Sequence, residues 1–135
     1  MHAPGARYTG NGVPRSRPLV LVVEDDTQLA RLYCASLTLR GITCLRVADG
    51  FTALRSIEEE RPDLILLDLN LPAVSGFNVL RDLASNPATS GVPVIVVTGV
   101  EPTPQLPDAM VVLCKPCDPD HVANIVRDHL PAATR

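Results

Sequence analysis

The chain has 135 residues with 46% hydrophobic and 20% charged side chains, and its formal net charge is -3 at pH 7. This length fits one domain with a single core, and the composition is unlike that of a disordered or fibrous chain. The small negative charge excludes a general nucleic-acid binder, and the apolar runs are shorter than the ~20 residues of a membrane span. We therefore expect neither a membrane nor nucleic acid to be a direct partner.

Residues 1–17 contain glycine, proline and arginine and almost no large apolar side chains. Such a segment buries too little surface to offset the entropy lost on ordering, so a flexible tail is predicted. It lacks the apolar segment of a secretory signal, and we expect the four cysteines to be reduced thiols because a domain of this size can rely on its core. These features predict a cytoplasmic protein with its domain at 18–131 and a C-terminal tail at 132–135.

From residue 18 onward, short apolar runs alternate with segments of helical periodicity, a pattern typical of strand–helix units around a parallel sheet. We predict strands at Leu19–Val23, Thr43–Val47, Leu64–Leu67, 92–97 and 111–113. The first predicted helix, 27–40, has apolar residues at i, i+3, i+4 and i+8 and ends before Gly41. Later helices are indicated by Leu54 and Ile57, by Phe77, Leu80 and Ala84, and by Val122, Ile125 and Val126. The fold class is therefore α/β.

The fourth crossover is too short for an ordinary helix. Sixteen residues, 99 to 114, separate Thr98 from Lys115, whereas a helix, a strand and two loops would need about 24. Pro102, Pro104 and Pro107 also remove helix donors. We predict an extended or single-turn connection at 99–108, with the fourth helix shortened or absent.

Polar side chains lie at the ends of four predicted strands. Glu24, Asp25 and Asp26 follow the first strand, and Asp68 follows the third. Thr98 and Lys115 follow the fourth and fifth strands. In a doubly wound sheet the ligand site lies beyond the carboxyl ends of the strands, so we expect these side chains to converge there.

Carboxylates forced together repel, by about 4 kcal/mol for each pair at ~4 Å and an effective dielectric of 20, unless a cation is present. Hard oxygen ligands favour magnesium or manganese over zinc, and magnesium commonly binds phosphate oxygens as well. Lys115 can meet one phosphoryl oxygen and the Thr98 hydroxyl can donate to another. Asp68 is then left as the acceptor of a phosphoryl group.

The segments VLVVEDD, LILLDLNLPAVSG, VIVVTG and LCKP resemble, in their order and positions, the response-regulator receiver family of two-component signalling. The resemblance covers roughly residues 18 to 130. It implies a flavodoxin-like fold with a doubly wound five-stranded parallel sheet. It also implies that phosphate is supplied by a sensor histidine kinase or a histidine phosphotransfer protein.

The resemblance also assigns roles within the site. It implies that Asp68 is the phosphoacceptor, that Asp25 is a direct Mg2+ ligand, and that Glu24 belongs to the acidic pocket directly or through water. Asn70 would offer its backbone carbonyl to the metal. The bond between Lys115 and Pro116 is expected to be cis.

Several positions depart from the family pattern. Val112 stands where the family often has Tyr or Phe, Cys117 replaces a common aromatic residue, and Ser75 stands where Asp is frequent. These changes affect the downstream relay rather than the phosphorylation chemistry. Cys114 and Cys117 also have a Cys-x-x-Cys spacing, which leaves a redox pair or half a zinc site as an alternative.

The leading hypothesis is a single-domain response regulator without a DNA-binding output, phosphorylated on Asp68 and acting on an unknown downstream protein. The alternative is a receiver-like interaction module that works without phosphorylation, which Val112 and the short fourth crossover favour. An independent hydrolase would need a second carboxylate as general acid where this chain has Asn70. We therefore expect no enzyme activity of that kind.

Overall fold

The computed structural model describes Gly12, residues 15–100 and residues 105–131. Within these residues, helices and strands alternate until β4, which β5 follows directly. The elements are β1 (Leu19–Val23), α1 (Thr27–Thr38), β2 (Thr43–Val47), α2 (Gly50–Glu60), β3 (Leu64–Leu67), α3 (Gly76–Ser85), β4 (Val94–Thr98), β5 (Val111–Cys114) and α4 (Pro119–His129).

The five strands form one parallel sheet in the order β2-β1-β3-β4-β5. The order reverses between β1 and β3, which makes the sheet doubly wound and flavodoxin-like, as predicted. Helices α1 and α4 pack on one face, and α2 and α3 pack on the other. Every residue of β1, β3 and β4 is buried, as expected for central strands covered on both faces.

Side-chain caps fix where the helices begin. Asp26 accepts a hydrogen bond from the Leu29 N–H at the start of α1, and Ser75 caps α3 in the same way. Asp118 caps α4, whose first residue is Pro119, where a missing N–H costs no helical hydrogen bond. The caps of α1 and α3 place the amino ends of both helices at the carboxyl edge of the sheet.

The predicted bounds of two strands were wrong. β4 begins at Val94 rather than at residue 92 and includes Thr98. Pro93 has no N–H to give to the ladder, and the Val92 N–H bonds to the Thr89 carbonyl in the preceding turn. β5 extends by one residue to include Cys114, which pairs in register with Thr98.

The short fourth crossover is confirmed for the residues described. Residues 99–100 and 105–110 contain no helix, and the Ala109 N–H closes a turn onto the Leu106 carbonyl before Met110 bonds to Val94. Residues 101–104 lie outside the described part of the chain. Four helices and five strands are therefore found in the ranges given above.

The expectation of reduced thiols was wrong for two cysteines, because Cys34 and Cys44 form a disulfide. Cys34 lies in the second half of α1 and Cys44 in β2. The turn after α1 returns the chain along the same edge of the sheet, and the two Cα atoms are 5.5 Å apart, within the usual range for a disulfide. Helical periodicity carries no information about such a pairing.

Most of the predicted N-terminal tail, residues 1–11, 13 and 14, lies outside the described residues, as does the predicted tail at 132–135. Arg15 is described and contacts the domain. Its guanidinium donates to the Arg61 carbonyl at 3.1 Å and lies 3.4 Å from the Asp63 carboxylate. Among the described residues, no helix is long and apolar enough to cross a membrane.

Candidate functional site

The polar residues at the strand ends lie together at the carboxyl edge of the sheet. Carboxylate oxygens of Glu24, Asp25 and Asp68 fall within 4.8 Å of one another. Beside them is an open cavity of about 450 Å³ whose lining includes Asp68, Asn70 and Lys115. The topology explains this convergence, because β1 and β3 are neighbours and β5 is reached through β4.

Asp68 is held by its backbone and by both carboxylate oxygens. Its N–H bonds to the Val23 carbonyl, and only 5% of the residue is exposed. Oδ1 accepts from the Asn70 N–H at 3.1 Å, and Oδ2 accepts from the Lys115 Nζ at 3.2 Å. The side chain is therefore oriented before any ligand binds.

Gly76 lets the loop after β3 close tightly around Asp68. A Cβ at this position would collide with the backbone of Asp68 and Leu69. The Gly76 N–H also bonds to the Leu69 carbonyl at 2.9 Å. The glycine at the end of the LILLDLNLPAVSG segment is thus required by close packing against the strand that carries Asp68.

Glu24, the residue after β1, is the most buried carboxylate of the pocket, with 4% of the residue exposed. Its Oε1 pairs with the Lys115 Nζ at 2.7 Å, and its Oε2 accepts from the Asp26 N–H at 3.2 Å. Burial raises the pKa of Glu24 to about 7, with a further increase from Asp68, while the hydrogen bond from Lys115 lowers it. The unfavourable effect of burial on the charged form of Glu24 is therefore larger than the favourable effect of its hydrogen bond with Lys115.

The structure separates the roles of the three consecutive acidic residues. Glu24 points inward, Asp25 is exposed and joins the carboxylate cluster, and Asp26 caps α1. The capping role of Asp26 follows from its position one residue before the helix. Two of the three residues are thus available to a ligand.

Lys115 is shared between the two buried carboxylates. Burial alone would lower the pKa of Lys115, but the hydrogen bond to Glu24 and the charge of Asp68 outweigh it and raise the pKa. The Lys115 N–H bonds to the Thr98 carbonyl, and the Lys115–Pro116 bond is cis, as expected. The ammonium therefore remains charged and directed into the pocket.

Thr98 is fully buried at the end of β4, and its hydroxyl accepts a hydrogen bond from the Val100 N–H at 3.1 Å. The hydroxyl hydrogen itself is not used in that bond. Thr98 is therefore joined both to Lys115 through the backbone and to the loop after β4 through its side chain.

The donor set fits a magnesium ion. Three carboxylates within reach of one another are hard oxygen ligands, and the cavity beside them leaves room for water and a phosphate oxygen. Asn70 lines this cavity, and its N–H is already bonded to Asp68. The role of its backbone carbonyl as a ligand stays a prediction.

The two cysteines of the Cys-x-x-Cys segment lie outside the group of potential metal ligands found in the described residues. Cys117 packs against the core between the sheet and the α1/α4 layer. Cys114 is exposed. Because side chains alternate along β5, Cys114 lies on the same face of the sheet as Val112, and Cys117 packs against the other face. The acidic cluster is the only group of potential metal ligands found among the described residues, and it contains no cysteine.

Tyr33 lies on the apolar face of α1, and the helical pattern of the sequence gives it no role beyond packing. The residue is buried, and this burial raises the pKa of Tyr33 to about 12, with smaller opposing effects from the charges of Lys115 and Glu24. A tyrosine rather than a phenylalanine at a core position was the available signal, because a buried hydroxyl calls for a partner.

Comparison with known proteins agrees with this geometry. Residues 20–127 match the response regulator receiver domain family. The chain is 43% identical over 82 residues to the DNA-binding response regulator MtrA of Mycolicibacterium paratuberculosis, a match that covers 61% of this chain and 35% of MtrA. The chain thus spans about a third of that relative.

Two solved structures have the same architecture. The receiver domain of a LuxO repressor protein from Vibrio parahaemolyticus is 34% identical with a TM-score of 0.72, covering 84% of this chain and 89% of that one. The Mn(2+)-bound form of response regulator Rcp1 is 26% identical with a TM-score of 0.69, covering 85% and 99%. With most of its length matched by the family model and its fold shared with these structures, the chain belongs to the response regulator receiver domain family.

Proposed function

We propose that this domain is a phosphorylation-operated switch that accepts a phosphoryl group on Asp68 from a sensor histidine kinase or a histidine phosphotransfer protein. The observation that carries the proposal is the position of the Asp68 carboxylate, 3.2 Å from Lys115 and within 4.8 Å of the other pocket carboxylates. A domain that only bound a partner would have no need for this costly arrangement of buried charges.

The chemistry follows from the same contacts. A carboxylate oxygen of Asp68 attacks the phosphorus of the phosphohistidine, a P–O bond forms, the P–N bond breaks, and the imidazole leaves. A Mg2+ ion held by Asp25, Asp68 and Glu24 would neutralise charge on the phosphoryl oxygens. In this proposal Lys115, whose Nζ lies 3.2 Å from Asp68 Oδ2, contacts one phosphoryl oxygen, and the Thr98 hydroxyl donates a hydrogen bond to another.

The output of the switch is a further part of the proposal. MtrA is named as a DNA-binding response regulator, and this chain matches only 35% of it. We infer that the domain itself acts on a protein partner, with no direct contact to nucleic acid or membrane, in the cytoplasm and without independent enzyme activity. The net charge of -3 and the acidic site support a protein target rather than nucleic acid.

Incubation with phosphoramidate and Mg2+, followed by intact-mass measurement, tests the proposal. We expect one phosphoryl adduct in the wild type and none in Asp68→Asn or in excess chelator. Asp82→Asn, on the exposed side of α3, is the matched control and should be phosphorylated normally. An adduct that persists in Asp68→Asn contradicts the assignment of the acceptor.

A second candidate is an interaction module that works without phosphorylation. It is favoured by Val112, which is half-buried in β5 where the family often has an aromatic residue, and by a fourth crossover that contains no helix among its described residues. Lack of any adduct in the wild type, together with unchanged partner binding in Asp68→Asn, would support this candidate over the first.

A further inference from the structure

Tyr33 has a buried polar atom that the free domain does not use. The residue is 2% exposed in the core between α1, α4 and the sheet. Its hydroxyl has no hydrogen-bond partner among the described residues. Buried hydroxyls in native proteins are almost always paired, because an unpaired one loses its bonds to water without replacement. Phenylalanine would fill the same space without this cost.

The general direction of helical side chains predicts that the Tyr33 hydroxyl faces the pocket. The helix begins at Thr27, just beyond the carboxyl end of β1, and Tyr33 lies in its second turn. Long side chains on a helix lean towards the amino end of the helix. The ring of Tyr33 therefore runs back towards the edge where Glu24 and Lys115 meet. Cys117, two residues after Lys115, packs against the same core.

The electrostatic environment agrees with this direction. Burial raises the pKa of Tyr33 to about 12, the Lys115 ammonium lowers it, and the Glu24 carboxylate raises it again. The hydroxyl therefore keeps its proton at neutral pH. Within the described parts of the chain it is a hydrogen-bond donor without an acceptor, and the charge of a buried carboxylate acts on it.

Phosphorylation changes what surrounds that carboxylate. In the free domain Glu24 depends on the 2.7 Å pair with Lys115 and on one longer bond, 3.2 Å, from the Asp26 N–H. A phosphoryl group on Asp68 carries negative charge outward, and Lys115, which already lies 3.2 Å from Asp68, is drawn to it. The Mg2+ ion that Glu24 would help to hold offsets its charge but donates no hydrogen bond, and because Glu24 is only 4% exposed, water has little access to replace the bond lost from Lys115.

We propose that Tyr33 is a positioning residue of the phosphorylated state, whose hydroxyl donates a hydrogen bond to the Glu24 carboxylate once Lys115 has turned to the phosphoryl group. This inference rests on the function proposed for Asp68. The unpaired hydroxyl disfavours the free state, and the new bond favours the phosphorylated state. Because Tyr33 belongs to α1, the change acts directly on this helix, which packs with α4 on one face of the sheet.

The Tyr33→Phe variant tests the inference with beryllofluoride and Mg2+ as a mimic of the aspartyl phosphate. In the free domain we expect a melting temperature equal to or above that of the wild type, because an unpaired hydroxyl is removed. Beryllofluoride should bind about tenfold more weakly than to the wild type, because the new bond to a charged group cannot form. The affinity can be measured from the shift in melting temperature.

Ser36→Ala is the matched control, since it removes a hydroxyl from the same helix. The Ser36 hydroxyl bonds to Asp120 on α4 at 2.9 Å, away from the pocket. This variant should lower the melting temperature equally with and without beryllofluoride. A Tyr33→Phe variant that binds the mimic as tightly as the wild type overturns the inference alone, whereas a wild type that does not respond overturns the proposed function and the inference together.

A spectroscopic measurement does not depend on the folding of the Tyr33 variant. The chain has two tyrosines and no tryptophan, so Tyr8→Phe leaves Tyr33 as the only tyrosine. A new hydrogen bond from this hydroxyl to a carboxylate should shift its near-ultraviolet absorption to longer wavelength when beryllofluoride and Mg2+ are added. An unchanged spectrum, in a sample whose melting temperature shows that the mimic has bound, contradicts the proposed bond.

Discussion

Lys115 supports two buried carboxylates at once, and this sharing determines the state of the free pocket. Glu24 and Asp68 are 4% and 5% exposed, and Asp25 completes a cluster of three carboxylates against one ammonium. The pocket therefore keeps an excess of negative charge that a divalent cation can offset. Residue-scale substitutions should change stability in opposite directions, depending on which sign of charge they remove.

Asp68→Asn should raise the free energy of unfolding in chelator by about 1 kcal/mol, because it relieves repulsion between carboxylates while keeping a similar shape. The stabilisation by Mg2+ should become smaller than in the wild type. Thermal unfolding with and without Mg2+ measures both effects. A lower stability of Asp68→Asn in chelator would show instead that the bonds from Asn70 and Lys115 dominate.

Lys115→Met should have the opposite effect and lower the free energy of unfolding by about 3 kcal/mol in chelator. It leaves the Glu24 and Asp68 carboxylates buried without their shared cation, which is the costly way to break a buried ion pair. Added Mg2+ should restore part of this loss. Denaturant unfolding of the variant in chelator and in Mg2+ checks the expectation, and an unchanged stability in chelator would contradict it.

The pH dependence of stability should show the titration of Glu24. Its pKa is about 7 in the folded domain against an ordinary value of 4.5, so the folded state binds the proton more tightly. The associated stability is fully present below pH 4.5 and is lost as the pH rises to about 7. Without Mg2+, the wild type should therefore lose stability relative to Glu24→Gln over this range, as melting curves in chelator can test.

At the scale of elements, the sequence predicts most of the architecture because the central strands are continuous apolar runs and the helices begin at strong caps. It fails where one residue's backbone chemistry decides a boundary, as at Pro93 before β4. It also fails for the disulfide, because the pairing of Cys34 with Cys44 depends on the turn between α1 and β2. Disulfides are rare in the reducing cytosol, so the Cys34–Cys44 bond does not support the predicted cytoplasmic location.

The disulfide should contribute to stability through the short loop that it closes between α1 and β2. Its sequence separation is 10, for which loop-closure entropy predicts about 2–3 kcal/mol. The Cys34→Ser, Cys44→Ser double variant should lose this amount in the free energy of unfolding. Dithiothreitol should destabilise the wild type to a similar extent and leave the variant unchanged, and an equal response of both proteins would contradict the expectation.

At the scale of the whole molecule, the location of the site could be predicted because parallel topology brings the ends of non-adjacent segments to one edge. Asp68 and Lys115 are 47 positions apart in sequence and 3.2 Å apart in space. The contribution of Tyr33 could not be predicted in this way, because it depends on side-chain direction from a helix and on the burial of one hydroxyl. Topology thus locates the strand-end residues but not those that reach the pocket from a covering layer.

Among the described residues, the crossover between β4 and β5 contains no helix, and residues beside β5 are only partly covered. Val100, Leu106, Ala109 and Val112 are only partly buried beside the core that faces α2 and α3, and Met110 is 54% exposed. The resemblance to the receiver family implies a common dimerisation face built from the helix of this crossover, β5 and the last helix, and no such crossover helix is found among the described residues. A symmetric interface needs the same complementary patch on both copies, so we expect signalling to use another surface.

The motion available on phosphorylation is then local to the end of β4. The Thr98 hydroxyl accepts a hydrogen bond from the Val100 N–H, so a shift of Thr98 towards the phosphoryl group would move the loop that follows as well. Hydrogen exchange with beryllofluoride and Mg2+ should change most at residues 98–108, with Thr98→Ala, which lacks the hydroxyl, showing a smaller change there. Sedimentation should show no dimer induced through this face. An induced dimer whose protected amides map to residues 99–130 would contradict the expectation that signalling uses a surface other than this face.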